Sequence, residues 1–104
     1  MSQAPDTPLY ENTLGVALYR NGQFAEAIPV LEKSLRDGAG AYDAFDLFFL
    51  AMCHYRLGDA AKARDRRDRA ARWVEEHRSK LSKTYSDELA AFQAEADAVL
   101  AAGR

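Results

Sequence analysis

The chain has 104 residues, of which 48% are hydrophobic and 29% charged, and its net charge is -2 at pH 7. This length suffices for one domain with a modest core, and the balance of residue types argues against a generally disordered chain. So small a net charge gives no overall attraction to nucleic acid or to an anionic membrane.

Three features of the sequence bear on the compartment. Cys53 is the single cysteine, so no disulfide can form within the chain and secretion is not implied. Residues 1–8 lack the basic start and the apolar run of a signal peptide. The longest apolar run, residues 47–53, is far shorter than the roughly 20 residues that span a bilayer. We therefore expect a cytoplasmic protein that does not enter a membrane.

The N-terminal part of the chain predicts a pair of helices. A flexible tail is expected over residues 1–7, and Pro8 suits the first position of a helix, where its missing N–H costs no hydrogen bond. Apolar spacing continues this helix to residue 20. Gly22 can adopt the left-handed conformation that ends a helix, and a second helix is expected over about residues 23–36.

Three further helices follow. A third is predicted over residues 43–57, and Gly58 turns the chain after it. Alanine and arginine, both strong helix formers, predict a long fourth helix over about residues 59–79. A fifth helix, capped by Thr84 or Ser86, completes the chain. No segment shows the alternation of a strand, so the predicted fold class is all-α.

The sequence repeats itself with a period of 36 residues. The positions of Leu14, Gly15, Gly22, Ala27 and Ser34 recur as Leu50, Ala51, Gly58, Ala63 and Ala70. A fixed period of this size predicts stacked pairs of helices. The two residues beyond the common period of about 34 are assigned to the loop at residues 38–42.

These residues resemble the tetratricopeptide repeat, a pair of antiparallel helices with Leu-Gly in the first helix, Gly at the turn, and an aromatic residue and Ala in the second. The first repeat spans about residues 8–40 and the second about residues 44–77, while the helix over about residues 84–101 looks like the C-terminal capping helix of such arrays. The resemblance implies a right-handed α-solenoid of five helices in a single domain, residues 8–104. The pattern is similar to repeat segments near the C-termini of large bacterial multidomain proteins.

The third helix carries more apolar surface than one core stripe requires. Beside an expected core stripe of Leu47, Leu50, Ala51 and His54 lies a second stripe, Phe45, Phe48, Met52 and Tyr55. In the tetratricopeptide family, this neighbouring face lines a concave groove that binds peptides. The resemblance therefore implies a partner-binding site, which consists of Asn12, Val16, Tyr19, Arg20, Phe45, Phe48, Met52, Tyr55 and Arg56. In the alternative interpretation, Phe48 and Met52 pack between the repeats.

Neither catalysis nor metal binding is expected. Cys53 and His54 are adjacent on a helix and point about 100° apart, so they do not face each other as a nucleophile and its base would. Both are predicted to be packing residues. One cysteine and two histidines at unsuitable spacing do not predict a metal site, and no cofactor is predicted.

A basic segment suggests an alternative function. Residues 56–83 hold ten basic and five acidic side chains, and most of the arginines fall in the fourth helix. Such a helix could bind nucleic acid. Acidic residues at ion-pairing spacing, for example Asp68 with Arg64 and Arg72, favour a solvated surface instead.

We predict a non-catalytic protein-interaction module. Two repeats and a cap fall below the three or so repeats that such arrays need for stability, so a partner is expected to complete the core unless the last two helices do. That partner is a protein or peptide, or a second copy of the chain in a homodimer. Nucleic acid and membranes are not the expected partners.

Overall fold

The computed structural model describes residues 7–37 and 43–102. These residues form the helices α1 (Thr7–Arg20), α2 (Phe24–Asp37), α3 (Asp43–Arg56), α4 (Ala60–His77) and α5 (Lys83–Ala102), with a short 3-10 helix at Arg78–Lys80. No strand occurs in this part of the chain, which confirms the all-α class. The predicted loop at 38–42 and residues 1–6 of the predicted tail lie outside the described residues, and Thr7 already belongs to α1.

Glycine turns join the helices of each pair. Gly22 and Gly58 have φ angles of 81° and 91°, a backbone conformation that side chains disfavour. Both predicted turns are therefore confirmed. Pro29 lies inside α2 without ending the helix.

Polar caps set where the last two helices begin. Asp59 precedes α4, and its carboxylate accepts a 3.1 Å hydrogen bond from the backbone N–H of Lys62. At the start of α5, Ser82 Oγ accepts a 3.1 Å hydrogen bond from the backbone N–H of Tyr85. The predicted caps at Thr84 and Ser86 were wrong, because both residues lie inside α5 and Ser82, which precedes the helix, supplies the acceptor.

Helices α1 and α2 approach each other closely at Gly15. A Cβ atom on this residue would lie 2.5 Å from Leu31 Cδ2 and 2.6 Å from Leu31 Cγ, and Leu31 is fully buried. The small residue expected at this crossing is therefore required by the packing. Its counterpart in the second pair, Ala51, is also fully buried.

Helix α3 lies at the centre of the fold and contacts all four other α-helices. Every residue from Asp46 to His54 is buried. A helix that is enclosed on all sides has no free apolar stripe, because each side chain packs against a neighbouring helix. The Cα radius of gyration is 13.3 Å. A compact domain of 100 residues has a radius of gyration of about 13 Å. None of the described helices is both long and apolar enough to cross a membrane.

Candidate functional site

Aromatic rings join α1, α3 and α5 along one side of the fold. Phe49 is fully buried, and its ring centroid lies 5.6 Å from that of Tyr19, 5.5 Å from Phe45 and 5.0 Å from Phe92. The rings of Phe45 and Phe92 are 4.5 Å apart. Edge-to-face and offset pairs of this kind add to the stabilisation from apolar burial. The cluster attaches α5 to α3 and, through Phe49, to α1.

The structure revises the predicted apolar stripe of α3. Phe48 and Met52 have no exposed area, so neither side chain can contact a partner in this conformation. They pack in the core, as the alternative interpretation expected, because α3 is enclosed. Phe45 and Tyr55 are half-buried at the edge of this core.

Asn12 and Val16 on α1 also face inward. Asn12 is 3% exposed, and its Nδ2 donates a 2.7 Å hydrogen bond to Asp46 Oδ1 on α3. Val16 is half-buried against the hydrophobic core. Asn12 therefore connects two helices, and neither residue presents a free side chain to a groove.

The carboxyl group of Asp46 is fully buried between three helices. Ser34 Oγ on α2 donates a 2.8 Å hydrogen bond to its Oδ2, beside the bond from Asn12. Loss of solvent raises the pKa of Asp46 to about 6, the two hydrogen bonds oppose this change, and the nearby carboxylates Asp43 and Glu11 add to it. The contact joins residues of three helices and is a structural finding.

Three of the nine predicted residues meet at one surface cleft. Tyr19, Arg20 and Arg56 line it, at the C-terminal ends of α1 and α3. Its remaining lining residues are Gly22, Phe24 and Glu95, and its volume is about 350 Å³. We refer to these six residues as the Arg56 cleft.

Arg20 is held in place inside the Arg56 cleft. Its guanidinium donates to both carboxylate oxygens of Glu95 on α5, with a distance of 2.9 Å from Nη2 to Oε1. The same group lies 5.4 Å from the ring centroid of Phe49 and 5.7 Å from that of Tyr19. The hydrogen bonding with Glu95 is the main cause that raises the pKa of Arg20. This arginine is charged and already paired.

Arg56 differs from Arg20 in its lack of a side-chain partner among the described residues. It is exposed, and it forms neither a hydrogen bond nor an ion pair with any residue that the structure describes. The cleft therefore contains two guanidinium groups and one carboxylate, that of Glu95, which pairs with Arg20. The cleft carries one unbalanced positive charge beside the rings of Tyr19 and Phe24, whose centroids are 5.4 Å apart.

Cys53 and His54 are both buried, as packing residues would be. Burial raises the pKa of the Cys53 thiol to about 12, so this thiol is protonated at neutral pH and is a poor nucleophile. Burial, followed by the positive charges of Arg66 and Lys62, lowers the pKa of His54. Within the described residues, no three His, Cys, Asp or Glu side chains gather as a metal site requires.

The arginines of α4 are partly neutralised by carboxylates. Arg67 pairs with Asp97 on α5 at 2.7 Å and with Asp68 at 3.1 Å, while Asp65 contacts Arg66 at 2.5 Å and Arg69 at 3.7 Å. The ion pairs suggested between Asp68 and Arg64 or Arg72 do not form. Asp68 instead contacts its immediate neighbour Arg67, whose side chain also reaches α5.

Sequence reasoning missed the residues that the tertiary fold brings to the cleft. Glu95 lies 75 residues from Arg20, so no local pattern relates the two side chains. Phe49 was not assigned to either stripe, although it lies between Tyr19 and Phe92. The apolar run of residues 47–53, which includes both phenylalanines, was a local sign that this helix is enclosed.

Comparison with protein-family models, with curated proteins and with solved structures finds no match. The tetratricopeptide resemblance therefore depends on the repeated residues of this chain, and membership of that family stays a prediction.

Proposed function

We propose that this protein is a non-catalytic interaction module that binds a peptide segment of a protein partner in the Arg56 cleft. In this proposal, two tetratricopeptide-like pairs, α1–α2 and α3–α4, stack as a right-handed solenoid, and α5 is the cap. The first helix of each pair and the cap contribute to the cleft through Arg20, Arg56 and Glu95. The binding surface is thus the concave side that these three helices would share.

One observation carries the proposal. Tyr19, Arg20 and Arg56 come from two helices and meet at a cleft that holds a charged group with no partner among the described residues. Arg and Tyr are enriched in protein-binding surfaces, and an exposed guanidinium beside aromatic rings is typical of such surfaces. A volume of about 350 Å³ accommodates side chains of an extended peptide.

Selection of random peptides on the immobilised protein tests the proposal. Selected peptides should perturb the backbone amide NMR signals of residues 19–24 and 56 on the 15N-labelled protein. Enrichment of no peptide over the bare support would contradict the proposal. So would perturbations confined to another surface, such as the exposed side of α4.

A different observation supports self-association. Leu14 is 36% exposed, whereas its repeat counterpart Leu50 is fully buried in the hydrophobic core. Leu14 points about 200° away from Asn12, which contacts α3, so it lies on the side of α1 that no helix of the described residues covers. Leu18 follows one turn later and is half-buried. We propose that a second copy of the chain packs against Leu14 and Leu18. Both side chains are uncharged, so the association of two copies would not bring like charges of these residues together.

A further inference from the structure

We infer that the exposed side of α4 binds single-stranded nucleic acid, with arginine and lysine side chains on the phosphates and Trp73 stacked on a base. Ala63 and Ala70 are fully buried and mark the opposite side of this helix. No residue of α4 lines the Arg56 cleft. The inference therefore concerns a second surface and does not depend on the proposed peptide-binding function.

The first step concerns the distribution of charge. Residues 60–80, which form α4 and the short 3-10 helix, hold eight basic and four acidic side chains. The remainder of the chain holds six basic and twelve acidic side chains. One segment of a protein of net charge -2 thus carries a net charge of +4. Such a local excess of cations along a helix attracts a polyanion, and nucleic acid is the polyanion that these surfaces commonly bind.

The second step concerns which of these cations are available. The sequence spacing suggested that Asp68 neutralises Arg64 and Arg72, but Asp68 pairs with Arg67 instead. Arg64 and Arg72 are exposed, and neither forms a hydrogen bond or an ion pair with another side chain in residues 7–37 or 43–102. The exposed side chain of Lys62 has no such partner either. The ion pairs that favoured a merely solvated surface are thus missing at these three positions.

The third step concerns the arrangement of the cations. Arg64 and Arg72 are eight residues apart, which corresponds to about 12 Å along the helix axis. A nucleic-acid strand presents a negative charge at every nucleotide, so it can contact cations that are spread along one helix. Guanidinium groups also donate paired hydrogen bonds to phosphate oxygens. The spacing therefore suits an extended chain of phosphates better than one small anion.

The fourth step concerns an aromatic side chain beside these cations. Trp73 lines a cleft of about 310 Å³ together with Arg69 and Arg72. Its indole is half-buried and stacks on the ring of His77, with 4.1 Å between the ring centroids. The bases of a single strand can stack on such a side chain, whereas those of a duplex are stacked on each other. The cleft therefore favours a single strand over a duplex.

Two carboxylates decide which part of a nucleotide enters this cleft. Asp43 and Glu76 also line it, and they repel a phosphate group. A base carries no charge at neutral pH, so it suits the interior beside Trp73. The phosphates then lie outside the cleft, where Arg64 and Arg72 are exposed.

The emission of Trp73 provides the first test, because this residue is the single tryptophan of the chain. A dye-labelled, mixed-sequence single-stranded DNA of about 16 nucleotides, within the usual site size of one small domain, is titrated with the protein at about 50 mM salt. We expect the anisotropy of the dye to rise and the tryptophan emission to be quenched over the same concentration range. The duplex of the same sequence should bind more weakly.

The second test compares two arginine variants in the same titration. Arg72→Gln removes one cation of the surface. Arg36→Gln is the matched control, because Arg36 is also exposed, lies in the last turn of α2 and has no ion pair within the described residues. We expect Arg72→Gln to weaken binding about tenfold, and to lower the slope of log Kd against log salt by about 0.7, the value for one phosphate contact of a single strand. Arg36→Gln should stay within about twofold of wild type, and circular dichroism checks both folds.

Several outcomes would overturn the inference. One is the lack of any anisotropy change at about 50 mM salt. Binding without quenching of the Trp73 emission would exclude the stacked base, and equal effects of Arg72→Gln and Arg36→Gln would exclude this surface. Poly-glutamate of the same charge is the last comparison. If it binds as tightly as the DNA, the surface recognises acidic protein segments and the nucleic-acid inference is wrong.

Discussion

Ser34 Oγ donates a 2.8 Å hydrogen bond to Asp46 Oδ2, and this contact links the second helix of one pair to the first helix of the next. Asn12 Nδ2 donates to the other oxygen of the same carboxyl group at 2.7 Å. Because Asp46 has no exposed area, these two bonds replace the solvation that the group loses on folding. The interface between the two helix pairs thus contains a buried titratable group.

Replacement of Asp46 by Asn should make the protein less sensitive to pH. The folded-state pKa of about 6 lies above the unfolded value of about 3.9, so the folded state binds the proton more tightly. Protonation of Asp46 therefore stabilises the folded state fully below about pH 4, and this stabilisation is lost as the pH rises through about 6. An Asn side chain can accept from Asn12 and donate to Ser34 at every pH.

We expect Asp46→Asn to be roughly 1–3 kcal/mol more stable than wild type at pH 7, with the difference shrinking toward pH 4. Urea unfolding of both proteins from pH 4 to pH 8 measures this difference. Glu11 and Asp43 are present in both proteins, so their own titration largely cancels in the comparison. A difference in stability that does not change with pH would contradict the prediction.

A methyl group at position 15 should destabilise the first helix pair. Gly15→Ala places a Cβ 2.5 Å from Leu31 Cδ2, and the buried Leu31 side chain has little room to move. Overpacking of this kind costs about 1–3 kcal/mol, which exceeds the gain of about 1 kcal/mol in helix propensity. We therefore expect a net loss of up to about 2 kcal/mol in the free energy of unfolding.

The steric origin of that loss can be isolated with Leu31→Ala. If the clash with Leu31 is the cause, the double variant should lose less stability than the sum of the two single variants. Gly22→Ala serves as a control, since no atom lies within 4 Å of its added Cβ and only its φ of 81° opposes the substitution. Additive effects of Gly15→Ala and Leu31→Ala would exclude the clash.

Aromatic packing should stabilise the attachment of α5 more than the ion pair between Arg20 and Glu95 does. The side chains of Arg20 and Glu95 are 50% and 30% exposed, and ion pairs at a surface contribute at most about 1 kcal/mol. Glu95→Gln should therefore lower the free energy of unfolding by less than about 1 kcal/mol. Phe49→Ala should lower it by about 3–5 kcal/mol, because it leaves a cavity among Tyr19, Phe45 and Phe92. Urea unfolding measures both variants, and equal losses of stability for Glu95→Gln and Phe49→Ala would contradict this prediction.

Self-association should depend on Leu14 and not on exposed leucine in general. Leu57 is 51% exposed in the turn between α3 and α4, which makes it a matched control. We expect light scattering to show a wild-type mass that rises toward a dimer with concentration. Leu14→Glu should keep the monomer mass, since a charge is costly to bury without a partner, while Leu57→Glu should behave as wild type. A monomer at every concentration, or the same behaviour in both variants, would argue against this surface.

Local sequence patterns predicted the helices of the fold and the glycine turns between them. Gly22 and Gly58 each end a helix because left-handed backbone is accessible to glycine, and this requirement does not depend on distant residues. Apolar spacing and helix-forming composition placed all five helices, with errors of a few residues at their ends. Gly15, one of the repeated positions, lies at the close crossing of α1 and α2.

The sequence by itself determined an all-α chain with a repeated helix pair, because helix propensity, turn glycines and apolar periodicity act over a few neighbouring residues. Only the tertiary structure decided which apolar side chains are free. Phe48 and Met52 are buried because α3 is enclosed on all sides, and Arg20 is paired because α5 brings Glu95 across 75 residues of sequence. Such contacts depend on how whole helices pack, and they leave Arg56 as the charge of the cleft with no partner in the described part of the chain.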